Sequence, residues 1–234
     1  MILSSLVRYY ETLASDGKIE RNGWNKAKIS FCLSLDIDGN LIGVSDVRQR
    51  NTSGKKESVI SKEMAMPAPV KRSSGVSANF LWDNSSYIIG ADEKGKPKRS
   101  IECFEACRKK HEELLENAEN SAAQAVLRYF RTWQPEKAAE NPLLQEYWKE
   151  LISGANITFR VDGSFVSENV EICQAWDAYY SRGKGNKGLC LVTGKYDEIA
   201  RLHPSVKGIP GAQSSGASLI SFNAPAYCSY GKEQ

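Results

Sequence analysis

The chain opens on a helical rhythm. Ile2, Leu3, Leu6, Val7, Tyr10 and Leu13 recur every three or four residues, which predicts an amphipathic helix over 1–14. Asp16-Gly17 supplies turn chemistry to end it. The rhythm then changes. In KISFCLSLDIDGNLIGVSDVR, residues 28–48, Ile29, Phe31, Leu33, Leu35 and Ile37 alternate with other residues, and Asp38-Gly39 is a strong turn signal, so a β-hairpin is expected. Polar and basic residues 49–58 read as a mobile loop, and 59–67 as a further strand. Pro67 and Pro69 then break regular pairing. Residues 72–90 mix a polar Gly-containing turn with aromatics, and SYIIG at their end reads as a strand.

Helical spacing returns over 99–120, where Ile101, Phe104, Cys107, His111, Leu114 and Leu115 form one stripe with Glu and Lys outside. Shorter helices are expected at 121–132 and 142–152, with Trp133, Tyr147 and Trp148 packing among them. NITFRVDG, residues 156–163, reads as a strand closed by Asp162-Gly163, and 169–181 as a helix carrying Ile172, Trp176 and Tyr179. RGKGNKG, residues 182–188, is a basic Gly loop; 189–194 reads as a buried strand; SLISF at 218–222 is the one clear strand of the tail. Strands, then helices, then strands give an α+β fold: a mostly antiparallel sheet with a helical segment inserted at about 99–152.

Composition adds little until charge is mapped along the chain. At 234 residues, 41% hydrophobic and 25% charged, the sequence has enough apolar content for a substantial core. No run approaches the roughly 18 apolar residues of a membrane-spanning helix. The start lacks signal-peptide features, so the chain is expected in the cytosol, with no membrane partner. Under that reading Cys32, Cys103, Cys107, Cys173, Cys190 and Cys228 are free buried thiols. Cys103 and Cys107 share a helix face, but no second pair or nearby His completes a metal site, and no cofactor is expected. Net charge runs +5 over 1–100, −4 over 101–170 and +2 over 171–234. The basic excess concentrates in 48–72 and 182–207. Brought together they would form a phosphate-suited surface; apart they would be solvated loops.

Catalytic patterns are absent. The spacing from Gly188 to Gly194-Lys195 is one residue too long for a phosphate-binding P-loop, and Tyr196 follows the lysine. GAQSSGAS is not a nucleophile elbow. His111 lies on an apolar helix stripe and reads as packed. His203, before Pro204, has no local partner. What is left is binding chemistry: basic loops, aromatics Phe80 and Trp82, and the Gly-, Gln-, Ser- and Asn-rich stretch KGIPGAQSSGASLISFNAPAYCSYGKEQ at 207–234. Asn, Gln and Ser can read base edges, and an apolar wedge can open or kink a duplex. Phe80 and Trp82 can equally be core.

LVTGKYDEIARLHPSVKGIPGAQSSGASLISFNAPAYCSYGKEQ, residues 191–234, resembles a segment of the large subunit of the type I-C CRISPR Cascade surveillance complex. RSSGVSANFLWDNSSYIIG at 72–90 and the opening MILSSLVRYYETLA look like the same family. The resemblance implies that 1–234 is the N-terminal, motif-recognising domain of a longer subunit whose helical C-terminal domain lies beyond Gln234. It also implies a non-catalytic protein at the 5′ handle of the crRNA. Such a subunit inspects duplex DNA for the protospacer-adjacent motif, helps start unwinding, and works with other Cascade subunits and a recruited helicase-nuclease. Base pairing to the guide reads the remaining sequence. On this reading Lys71, Arg72, Ser73 and Ser74 contact backbone, Asn79 and Asn84 reach the groove, and Phe80 is a wedge. Gln213, Ser214 and Ser215 form a polar loop given room by Gly211 and Gly216, while Lys184, Lys187, Lys195 and Lys207 add general attraction. Two alternatives stand beside it: a nuclease using His203 and carboxylates, and a structural subunit binding only crRNA or protein.

Overall fold

The computed structural model describes residues 2–52, 58–70, 72, 75–182, 187–190, 192–199, 206, 209–213, 216 and 217. The chain divides into two compact units, residues 10–181 and residues 1–9 with 182–234. Helix α1 (Ile2–Ser15) forms as its spacing predicts, yet none of its described residues is buried; Ile2, Leu3, Leu6, Tyr9 and Tyr10 are exposed.

In the larger unit, β1 (Trp24–Ile29), β2 (Phe31–Leu35) and β3 (Leu41–Asp46) follow in order. The expected hairpin is β2–β3. Its turn places Gly39 at φ 81°, against the helix at 121–132; a Cβ there would lie 2.5 Å from the Ala125 carbonyl oxygen. The expected loop at 49–58 is instead flanked by a short exposed ribbon, β4 (Gln49–Asn51) paired antiparallel with β5 (Ser58–Ile60). Strand β6 (Lys62–Pro67) pairs with β1. After β7 (Trp82–Asn84), SYIIG is helical rather than extended: the Asn84 side chain accepts from Ser86 N and starts α2 (Ser85–Ile88). Helices α3 (Pro97–Leu115) and α4 (Ser121–Thr132) come next, then 3₁₀ turns at Pro135–Glu140 and Pro142–Tyr147 and α5 (Trp148–Ile152). Strands β8 (Asn156–Val161) and β9 (Ser164–Phe165), a 3₁₀ turn at Val166–Glu168 and α6 (Val170–Ser181) complete the unit.

The main sheet runs β3-β2-β8-β7, with β9 added to β8. Its pairs are antiparallel except β2–β8, which is parallel. A parallel pair needs a crossover, and the ribbon and the inserted helices lie in that connection. Strand β2 is apolar and buried at every position but the half-buried Ser34. Phe31 meets Tyr147 at 5.3 Å between ring centroids. From β8, Phe159 meets Tyr129 at 5.4 Å and Phe130 at 5.5 Å, both on α4. The fold is thus α+β, with the helical layer laid on a mixed sheet.

At the centre of this layer sits His111, fully buried. Its Nδ1–H donates to the Cys107 carbonyl at 2.8 Å, and its Nε2 accepts from Leu81 N at 3.0 Å. Leu81 has φ 65°, a conformation that side-chain-bearing residues avoid, and its carbonyl accepts from Thr158 Oγ1 at 2.9 Å. One neutral imidazole therefore ties α3 to the entry of β7, while the Leu81 carbonyl is held from β8. Both ring nitrogens are occupied, so protonation would break the Leu81 bond. Desolvation holds the His111 pKa down at about 4. The unfolded chain titrates near the ordinary value of 6.5. Between these values the unfolded state binds more protons, so stability falls as pH drops through that window, by about 3 kcal/mol in full. Urea titrations at neutral pH and at the acidic end of the window should show this loss. His111→Gln should be weaker at neutral pH but much less sensitive to acidification; an equal acid loss in both proteins would assign it to other groups.

Candidate nucleic-acid interface

The candidate residues fall in two places. The first is the segment before α2 in the larger unit. Arg72 grips Asp83 with both terminal nitrogens, Nη1 to Oδ1 at 3.0 Å and Nη2 to Oδ2. Its Nε donates to the Ser77 carbonyl, and its guanidinium lies 4.1 Å from the Tyr87 ring centroid. Burial pushes the Asp83 carboxyl up, and its bonds from Arg72 and from the Asn79 and Asn84 amides oppose that. The Asn79 side chain is turned inward, accepting from Val70 N at 3.0 Å.

Phe80 is fully buried, stacked on Trp176 at 5.6 Å and 5.1 Å from His111. Asn84 caps α2. These placements give the residues partners inside the fold. A wedge must be solvent-facing, whereas Phe80 is core; a groove reader needs a free amide, whereas the Asn79 oxygen closes a buried turn. Arg72 is held in an internal ion pair with Asp83. Lys71, Ser73 and Ser74 lie outside the described residues.

Other basic residues of 48–72 are also engaged. Arg48 is paired with Asp46 at 2.7 Å, and the Lys62 ammonium lies 5.4 Å from the Phe165 ring centroid. Arg48, Lys62 and Arg72 are thus held within the fold, while Lys55, Lys56 and Lys71 lie outside the described residues. Nothing in the sequence flagged Arg72–Asp83 as a pair. The one available signal is that Asp83 is the only acid between Glu63 and Asp92, in a run otherwise rich in apolar and aromatic residues. A lone acid beside a buried strand requires a partner.

The second place is the smaller unit. Strand β10 (Lys187–Leu189) pairs antiparallel with β11 (Tyr196–Glu198). The expected buried strand at 189–194 is instead largely the turn of this hairpin: Cys190 N donates to the Lys195 carbonyl, and Leu189 is 62% exposed. Lys187 and Lys195 are exposed on it. Further along, Ala212 N donates to the Ile209 carbonyl at 3.1 Å across Pro210-Gly211, and Gly211 has φ 82°. Proline followed by a positive-φ glycine is the chemistry of a type II turn. A Cβ on Gly211 would meet nothing within 4 Å, so the turn projects into open space, and residues 209–213 including Gln213 are exposed. Gly216, half-buried at φ 109°, donates its N–H to the Gln213 carbonyl at 2.9 Å. Lys184, Lys207, Ser214, Ser215, His203 and the SLISF segment lie outside the described residues.

Among the described residues no group of three or more His, Cys, Asp or Glu side chains is arranged to hold a metal ion, and no helix is long and apolar enough to cross a membrane. Cys32, Cys103, Cys107, Cys173 and Cys190 are free thiols, and burial raises the Cys32 pKa to about 12. A model of the CRISPR-associated protein family Cas_Csd1 matches residues 6–234, so the chain belongs to that family of CRISPR-associated proteins. No curated protein matches the sequence.

If Arg72 is structural, removing it leaves a buried carboxylate unpaired. Arg72→Ala should cost about 3 kcal/mol in chemical denaturation, and the paired change Arg72→Met with Asp83→Leu should recover much of that loss. Equal stability of Arg72→Ala and the parent chain would contradict the assignment.

Proposed function

We propose that this chain is the DNA-recognising part of the large subunit of a type I-C Cascade complex, acting in the cytoplasm without catalysis of its own. It inspects duplex DNA for the protospacer-adjacent motif beside the crRNA 5′ handle. It then supports unwinding and recruitment of the helicase-nuclease by the assembled subunits. The observation that carries this reading, given the family, is the exposed Ile209–Gln213 turn, where the positive-φ Gly211 opens the backbone to close approach. The basic β10–β11 hairpin supplies cations suited to phosphate contact, a salt-sensitive attraction.

The readers and the anchors separate by mutation. In fluorescence anisotropy on duplexes with and without a type I-C motif, Gln213→Ala should lower the preference for motif DNA. Lys195→Ala should weaken both duplexes alike and reduce the salt slope by about one phosphate contact. Binding to the crRNA handle with no duplex binding at any salt, or metal-dependent DNA cleavage lost in His203→Ala, would overturn the reading.

A further inference from the structure

We infer that the groove at the carboxyl ends of β2 and β8 is a docking site for a basic, aliphatic-bearing peptide segment of another protein. The two strands run parallel and in register, so Leu35 and Val161 end side by side. The chain then turns away twice, through 36–40 toward β3 and through Asp162-Gly163 toward β9. The turns leave a groove of about 470 Å³.

Its walls are aliphatic. Ile37 and Ile42, from either side of the Asp38-Gly39 turn, both line it, and each is 59% exposed. Scattered apolar side chains in water are ordinary. Two of them sharing one concave site, rimmed by charge, mark an interaction surface. Neither sits in the core, so neither is there to hold the sheet together.

The charges choose the partner. Asp36, Asp162 and Arg160 line the groove. The Asp36 carboxylate is fixed by its own turn: Oδ1 accepts from Asp38 N at 2.9 Å and Asn40 N at 2.8 Å, and Oδ2 from Asn40 Nδ2 at 3.0 Å. Asp162 is exposed and makes no ion pair among the described residues. Arg160 has no carboxylate partner among them either; its guanidinium lies 4.4 Å from the Phe165 ring centroid. The neighbouring Asp38 and Arg128 pair with each other at 3.8 Å and leave the balance unchanged. Two carboxylates against one guanidinium make the groove net negative. That sign repels nucleic-acid phosphate and anionic lipid, and attracts Lys or Arg. A peptide also brings backbone carbonyl oxygens to Arg160, neutral acceptors that the nearby carboxylates do not oppose.

This inference concerns the larger unit and does not rest on duplex recognition. To test it, random peptides displayed on phage are selected on the 234-residue chain, and the enriched peptides are synthesised and titrated by fluorescence anisotropy. Selection should enrich segments that combine Lys or Arg with Leu, Ile or Val. Ile42→Ser should weaken their binding about tenfold. Asp162→Asn should weaken it about threefold at low salt, with the difference shrinking as salt rises. Both side chains are exposed, so each variant should keep the melting temperature of the parent chain. No enrichment, enrichment of acidic sequences, or equal binding to the parent and both variants would overturn the inference. So would a concentration-dependent dimer lost in Ile42→Ser, which would give the groove to a second copy of this chain.

Discussion

The parallel pairing of β2 with β8 is the constraint from which the rest of the larger unit follows. Two strands that run the same way cannot be joined by a tight turn. The chain between β2 and β8 adds β3 and β7 to the sheet, yet it must still cross over to bring β8 in parallel, and that crossover holds the β4–β5 ribbon and the helices α2–α5. Because β2 is buried at every position but Ser34, the returning chain has to cover it. Tyr129 and Phe130 meet the sheet at Phe159, and Tyr147 covers Phe31.

That coverage decides what the polar residues near β7 can do. The strand enters through Leu81, held in a left-handed conformation by His111 and Thr158. An interior backbone bend of this kind needs its amide and carbonyl satisfied. The same packing draws Asp83 out of water, which requires Arg72, and turns Asn79 inward. Residues with the composition of a DNA-contacting loop become the fastenings of a core. In the smaller unit, exposed polar residues stand on the β10–β11 hairpin and the Gly211 turn.

The sequence showed the periodic elements clearly. Helix α4 matches its pattern at both ends, and α3 and α6 fall within a few residues of theirs, because each has one continuous apolar stripe. It showed the β2–β3 hairpin through Asp38-Gly39. It misled where local pattern was outweighed by neighbours. Ile88-Ile89 look extended, but Asn84 caps a helix turn. The 189–194 pattern looks like a buried strand, but Leu189 is exposed, since three-residue strands beside a turn bury little. Asn79 and Phe80 are chemically suited to DNA; only the long-range contact with Trp176 and the bond to Val70 reveal that they are occupied. Family membership was legible from 191–234 because that stretch is compositionally unusual and needs no folding argument.

We propose that the 187–217 region, and not the segment around Phe80, is where duplex DNA would be met. Hydrogen–deuterium exchange with and without a motif-bearing duplex tests it most directly. The account predicts that added duplex slows exchange in peptides covering 187–199 and 209–217, and leaves peptides covering 79–84 and 156–161 unchanged. Slowed exchange at 79–84 with none in 187–217 would contradict it.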